Sequence, residues 1–355
     1  MKRAILYKKL KNKTVRCSVC NHRCVINPGK RGFCGVRENQ DGKLYSLVYG
    51  KVIACHIDSI EKKPFFHWLP GSYSLSMATV GCNFRCLHCQ NADISQMPRD
   101  RNGQILGEEM SPAEIVDLAI KNNLPSISYT YTEPTIFLEY ALETMKLAKE
   151  KGLKNNWVTN GYMNKETLEL VGPYLDAANV DLKFFRDDLY QKVCGAKLQP
   201  ILNSLKWMKQ DKTRAQNNFV LGRAHKICAP IWVEVTTLVI PDYTDQGNQF
   251  EEIAKFIKNE LGAETPWHIS RFYPAYKMTD VLPTSPEIIY QAYEIGKKAG
   301  LKYVYAGNLP GNQKENTYCP KCGELNIKRI AYEIERFDKN GKCQKCGEGL
   351  NLILN

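Results

Sequence analysis

Gly81-Cys82-Asn83-Phe84-Arg85-Cys86-Leu87-His88-Cys89 sets three cysteines in a CxxxCxxC spacing. Three thiolates so spaced can hold three irons of a cubic 4Fe-4S cluster and leave the fourth iron open. Electron-transfer clusters and tetrahedral zinc sites usually take four protein ligands. The competing reading is a zinc knuckle with a remote fourth ligand. The flanking sequence bears on the choice. The triad follows a strand-like run at 75–81, and from there strands (126–131, 156–159, 178–184, 231–240, 267–273, 302–306) alternate with helices near 135–151, 164–171, 200–210, 249–260 and 286–299. A further helix opens at Ser111-Pro112-Ala113-Glu114, a capping box with Pro at the first helical position, and buries Ile115, Val116, Leu118 and Ala119. Alternation of this kind predicts an α/β fold with a parallel sheet of about six βα units.

In barrels built this way the chemistry sits at the C-terminal strand ends. The first strand ends at the cysteine loop, the second at Tyr131-Thr132-Glu133-Pro134 and the third at Thr159-Asn160-Gly161. The fourth carries Asp181 and Lys183, the fifth ends near Asp242, and the sixth reaches Arg271. Packing alone does not explain polar groups at six consecutive strand ends.

The 355 residues include 43% apolar and 24% charged positions, enough for one large domain with attachments. No apolar run approaches a membrane span and the N-terminus lacks an export signal, so a cytoplasmic location and no membrane partner are expected. Eleven of the fourteen cysteines fall in clusters with metal-ligand spacing and are read as reduced. Cys55, Cys194 and Cys228 are read as incidental thiols. The net charge of +12 fits a solvated surface, nucleic acid, or an acidic electron donor of the flavodoxin or ferredoxin type.

Two further metal modules flank the barrel. Residues 1–74 contain Cys17, Cys20, Cys24 and Cys34 in a stretch with little apolar core of its own, read as a zinc site, with a fully ligated second 4Fe-4S cluster as the alternative. Two short strands joined at Gly50 follow, and His67 reads as structural. Residues 313–355 carry Cys319-x-x-Cys322 and Cys343-x-x-Cys346, each pair followed by Gly, which predicts a zinc ribbon. Residues 75–312 form the core between them. A Lys/Gln/Asn/Arg-rich stretch, 209–226, reads as a long exposed loop.

With these motifs together, residues 75–310 resemble the radical S-adenosylmethionine (radical SAM) superfamily, and within it the group related to pyruvate formate-lyase activating enzyme. The nearest likeness is to the radical SAM member of the AmmeMemoRadiSam three-protein system. It is carried by Glu61-Lys62-Lys63-Pro64, Ser270-Arg271-Phe272-Tyr273-Pro274, Gly307-Asn308-Leu309-Pro310-Gly311 and Asn316-Thr317-Tyr318. The resemblance implies a partial (βα)6 TIM-like barrel in which Cys82, Cys86 and Cys89 hold the cluster and SAM chelates the open iron. It further implies that His88 lies against the adenine, that Thr132 and Glu133 stand where the family has Gly-Gly-Glu, and that Thr159, Asn160, Asp181 and Lys183 line the remainder of SAM. The implied activity is reductive cleavage of SAM to a radical that abstracts hydrogen from a substrate, a partner protein's glycine or another molecule of the three-protein system. A reading from another class is a non-catalytic, zinc-containing nucleic-acid-binding protein.

Overall fold

The computed structural model describes residues 1–210 and 230–355; most of the basic stretch at 209–226, and Cys228, lie outside these. Eight strands form the main sheet: β1 (Ala54–Ser59), β2 (Tyr73–Ala78), β3 (Ser126–Tyr129), β4 (Lys154–Thr159), β5 (Ala177–Asp181), β6 (Trp232–Val239), β7 (Trp267–Arg271) and β8 (Val304–Gly307). They are ordered β1 to β8 across the sheet, parallel throughout except for β1, which runs antiparallel to β2 at the edge. Helices α1 (Pro112–Lys121), α2 (Leu138–Glu150), α3 (Lys165–Val171), α4 (Leu198–Lys209), α5 (Gln249–Phe256) and α6 (Pro286–Lys298) follow β2 to β7 in turn. The expected six strand–helix units are therefore present, with β8 as a seventh parallel strand whose chain runs on into the C-terminal module. An α/β sheet is confirmed.

Alternation along the strands separates two buried faces. Leu75, Met77, Ile127, Tyr129, Trp157, Val235 and Ile269 belong to the apolar core, whereas Ser74, Ser76, Ser128, Asn156, Asn179, Glu234, Thr236 and His268 occupy the alternate, equally buried positions. Successive strand residues point to opposite faces, so the inner face is polar. Four of its groups pair with one another: the Ser74 and Ser128 hydroxyls lie 2.6 Å apart and the Thr236 hydroxyl donates to Asn179 Oδ1 at 2.8 Å. The capping box at Ser111 and Glu114 forms as its residue types require.

The two strands expected around Gly50 do not pair with each other. Lys43–Ser46 joins Lys2–Arg3 and Arg37–Gln40, Lys51–Val52 pairs with Glu108–Glu109, and β1 enters the main sheet. Apolar residues at 52 and 75 found better partners in the core than in a hairpin, and the sheet consequently starts before residue 75. The N-terminal segment likewise lends Val15, Val19, Ile26, Val36 and Leu44 to the main core. At the C-terminus, Thr317–Tyr318, Leu325–Ile330 and Glu333–Arg336 make a three-stranded antiparallel sheet. Among the described residues no helix is long and apolar enough to cross a membrane.

Candidate active site

The loop after β2 begins at Gly81, whose φ of +99° is open to glycine, and whose missing Cβ would sit 2.5 Å from Val36 Cγ1. Gly81 N–H donates to the Ile94 carbonyl at 3.0 Å, Arg85 N–H to the Cys194 carbonyl at 2.8 Å and Leu87 N–H to the Val193 carbonyl at 3.0 Å. Backbone bonds from two directions thus hold the three cysteines. Phe84 N–H points at Cys82 Sγ (3.3 Å), and the Ser95 hydroxyl lies 3.1 Å from Cys89 Sγ.

Glu133 follows β3 and is 2% exposed. Its carboxylate accepts from Thr159 Oγ1 (2.8 Å), the backbone N–H of Asn160 (2.8 Å), and both the N–H and the hydroxyl of Thr135. Every one of these donors is neutral. Burial raises its pKa, and the four hydrogen bonds offset that only in part. Asn160 Nδ2 donates to Asn83 Oδ1 at 2.7 Å and lies 3.9 Å from Cys82 Sγ, tying the end of β4 to the cysteine loop. Thr132 Oγ1 donates to the Thr79 carbonyl at 2.8 Å and ties the end of β3 to that of β2.

After β5, Lys183 Nζ meets Asp181 Oδ2 at 2.7 Å. Burial alone would lower the Lys183 pKa, but Asp181 and the nearby Cys86 and Cys194 sulfurs raise it, so it stays an ammonium. His88 is buried, and burial together with Lys183 lowers its pKa to about 3, which makes it a neutral imidazole. Neither ring nitrogen of His88 has a hydrogen-bond partner among the described residues.

The structure therefore brings Cys82, Cys86, Cys89, His88, Glu133, Asn160 and Lys183 to one end of the sheet. Arg271 is turned elsewhere, donating to the Thr284 carbonyl at 2.6 Å and to Tyr273 Oη at 3.0 Å. Cys194, read as incidental, has its thiol within 4.8 Å of both the Cys86 sulfur and the His88 ring. A hydrogen bond between the two thiols lowers the Cys86 pKa, while burial, with that bond and the Cys86 sulfur, raises that of Cys194. It lies far along the chain, in a helical turn at Tyr190–Cys194, and nothing in its neighbours marks it. His67 is structural as expected, its Nε2 lying 2.6 Å from Tyr305 Oη.

With this geometry in view, residues 77–257 match the Radical SAM superfamily. The chain belongs to that superfamily. It is 46% identical over 357 residues to "Uncharacterized protein MJ0808" of Methanocaldococcus jannaschii, covering 100% of both chains. It is 25% identical to "Putative glycyl-radical enzyme activating enzyme MJ1632" of the same organism, over 64% of this chain and 78% of that one. Among solved structures, a domain of pyruvate-formate lyase-activating enzyme from Bacteroides vulgatus aligns with 51% of this chain and 98% of its own, at 17% identity and a TM-score of 0.40. Membership makes the protein an enzyme of the radical SAM class and implies a 4Fe-4S cluster and SAM.

Proposed function

We propose that Cys82, Cys86 and Cys89 hold the cluster, and that His88, Thr132, Glu133, Thr159, Asn160, Asp181 and Lys183 bind SAM in a reaction that abstracts hydrogen from a protein partner. The observation that carries this is Glu133, a buried carboxylate that among the described residues meets only neutral donors, beside the cysteine loop. A buried charge is normally paired, and the amino group of SAM is a cation of the size and sign it lacks. The residues fit the group in other respects. Lys183 offers an ammonium to a carboxylate, and His88 offers an uncharged ring with free nitrogens to an adenine.

When bound, the cluster and SAM supply one-electron cleavage to methionine and a 5'-deoxyadenosyl radical. The chain's own part is placement and exclusion. Glu133 and Asn160 orient one end of SAM against the Cys82 loop, Lys183 with Asp181 holds its charge opposite, and the buried walls keep solvent from the reacting atoms. The likeness to MJ1632 supports a glycine of a glycyl-radical enzyme as the target. The +12 charge supports a flavodoxin- or ferredoxin-type electron donor. Four C-terminal sulfurs, Cys319, Cys322, Cys343 and Cys346, lie within 4.8 Å of one another and would hold a structural zinc.

Anaerobic reconstitution followed by SAM and dithionite tests the reading. Brown protein that yields 5'-deoxyadenosine, with the yield abolished in the Cys82→Ala, Cys86→Ala, Cys89→Ala triple variant, supports it. Colourless protein that leaves SAM intact overturns it and favours the non-catalytic alternative.

A further inference from the structure

Two sets of four cysteines flank the barrel, and their geometries differ. A zinc ion bound to four thiolates at about 2.3 Å draws tetrahedral sulfurs to about 3.8 Å of one another. The C-terminal set meets that demand: Cys319 to Cys346 and Cys322 to Cys343 are both 3.6 Å between sulfurs. The N-terminal set does not. Among the described residues, no three of Cys17, Cys20, Cys24 and Cys34 bring their sulfurs mutually within 4.8 Å. These four instead line a cavity of about 20 Å³, shared with Val19, Ile26, Phe33 and Arg37. That is room for about one water, more than four sulfurs already closed on a single ion would leave between them.

A cubane gives each thiolate its own iron at a separate corner, so its sulfurs stand farther apart than those around one ion. The cavity wall also carries an unused hydrogen-bond donor. Arg37 is buried, its two terminal nitrogens are taken by Glu139 at 2.8 and 2.5 Å, and its Nε is left with no partner among the described residues. Phe33 N–H already points at Cys24 Sγ (3.4 Å), the kind of bond that tunes an iron–sulfur centre.

The cavity shares a wall with the cysteine triad. The Cys34 carbonyl lies 3.1 Å from where a Cβ on Gly81 would be, one residue before Cys82. His22 Nε2 lies 2.7 Å from the Asn83 carbonyl, and the Phe33 ring stacks on His22 at 4.0 Å and meets the Arg85 guanidinium at 3.8 Å.

We infer that Cys17, Cys20, Cys24 and Cys34 hold a second 4Fe-4S cluster, fully ligated by protein, which passes single electrons from a low-potential protein donor to the cluster at Cys82, Cys86 and Cys89. The relay half rests on the function proposed above; the occupancy half does not. In the relay the donor is oxidised by one electron, the N-terminal cluster is reduced and reoxidised, and the triad cluster gains the electron, with no atom transferred.

The test is metal and sulfide analysis of the full-length triad triple variant, reconstituted anaerobically, together with its EPR spectrum after reduction. About four irons and four sulfides per chain, one zinc and the signal of a reduced 4Fe-4S cluster are expected. Two zincs with no iron, or one zinc with the N-terminal set empty, overturns the assignment. A Cys20→Ser, Cys24→Ser variant supplies the second measurement: its zinc stays at one per chain, its iron halves, and cleavage of SAM with dithionite survives while cleavage with a reduced flavodoxin falls at least tenfold. Equal loss with both reductants overturns the relay. Failure of the wild-type protein to cleave SAM speaks against the proposed function alone, because the iron count in the triad variant is read independently.

Discussion

Two glutamates are buried alike in this enzyme and serve opposite ends. Glu133 is 2% exposed and Glu234 0%, so burial does not distinguish them. Their partners do. Glu234, near the start of β6, lies 2.6 Å from His268 Nε2 and accepts from Trp232 Nε1 and the N–H groups of Phe66 and His67, each at 3.0 Å. Burial pushes its pKa up, but the two histidines and these donors win and hold it at about 2. Glu133 has four neutral donors and, among the described residues, no histidine hydrogen-bonded to it, and burial wins. A carboxylate whose charge the chain itself answers is a structural joint. One whose charge is left for something else to answer is the one proposed above to meet the amino group of SAM.

The contrast is sharpest under substitution. Glu234→Gln breaks a buried pair, an event that costs about 3–5 kcal/mol. The expected result is a fall in unfolding free energy of that size, with SAM affinity changed less than twofold. Glu133→Gln should do the reverse. Unfolding stability stays level or rises, since the burial cost of a charge is removed, while SAM binding to the reconstituted protein weakens about 30- to 160-fold, the about 2–3 kcal/mol of a hydrogen bond to a charged group. If Glu234→Gln weakens SAM as much as Glu133→Gln does, the two glutamates do not have separate roles.

Acid provides a second, smaller lever. His67 is depressed to about 4 by burial, which outweighs the nearby Glu234 charge, and Glu234 is held at about 2. Between His67's ordinary 6.5 and about 4 the unfolded chain binds the extra proton. Stability is therefore complete above 6.5 and falls as the pH is lowered through that window. The Glu234 contribution is present above its ordinary 4.5 and is lost from there down toward 2. Guanidinium unfolding from pH 7 to 4.5 should show stability declining toward acid, and His67→Gln should flatten that decline. An unchanged slope would mean that His67 does not carry the acid sensitivity in this window.

How much of this was legible beforehand follows from what each signal depends on. The triad, the capping box at Ser111 and the βα alternation are local patterns, and each stands where its spacing puts it. Glu133 and Asn160 lie together beside the cysteine loop, as strand ends converging in such a sheet imply. The polar inner face carrying Glu234 was not, because Trp232 to Val239 reads as a uniform strand and its polar positions acquire meaning only opposite His268 and Phe66. Cys194 was missed for the same reason: its partner Cys86 is close in space and remote in sequence. The pairing at Gly50 was misjudged because each short strand there has a long-range partner that buries more.

The finest distinction falls within Glu133's own set of donors. Thr159 Oγ1 donates to Glu133 Oε1 at 2.8 Å and accepts from Gly161 N–H at 3.1 Å. Thr159→Val keeps the shape, removes one neutral donor of four and leaves Gly161 N–H unanswered. A hydrogen bond to a charged group contributes about 1.5 kcal/mol at the low end of its range, so SAM affinity should fall about tenfold and stability by a similar about 1.5 kcal/mol, read by titration calorimetry and urea unfolding. The outcome weighs how Glu133 is kept ionised. With only neutral donors holding it, losing one raises the carboxyl pKa further and makes SAM binding fall off more steeply as the pH is lowered. A variant that binds SAM more weakly but with the wild-type pH dependence would show that Thr159 only positions the carboxylate and that its charge is sustained by the remaining three donors.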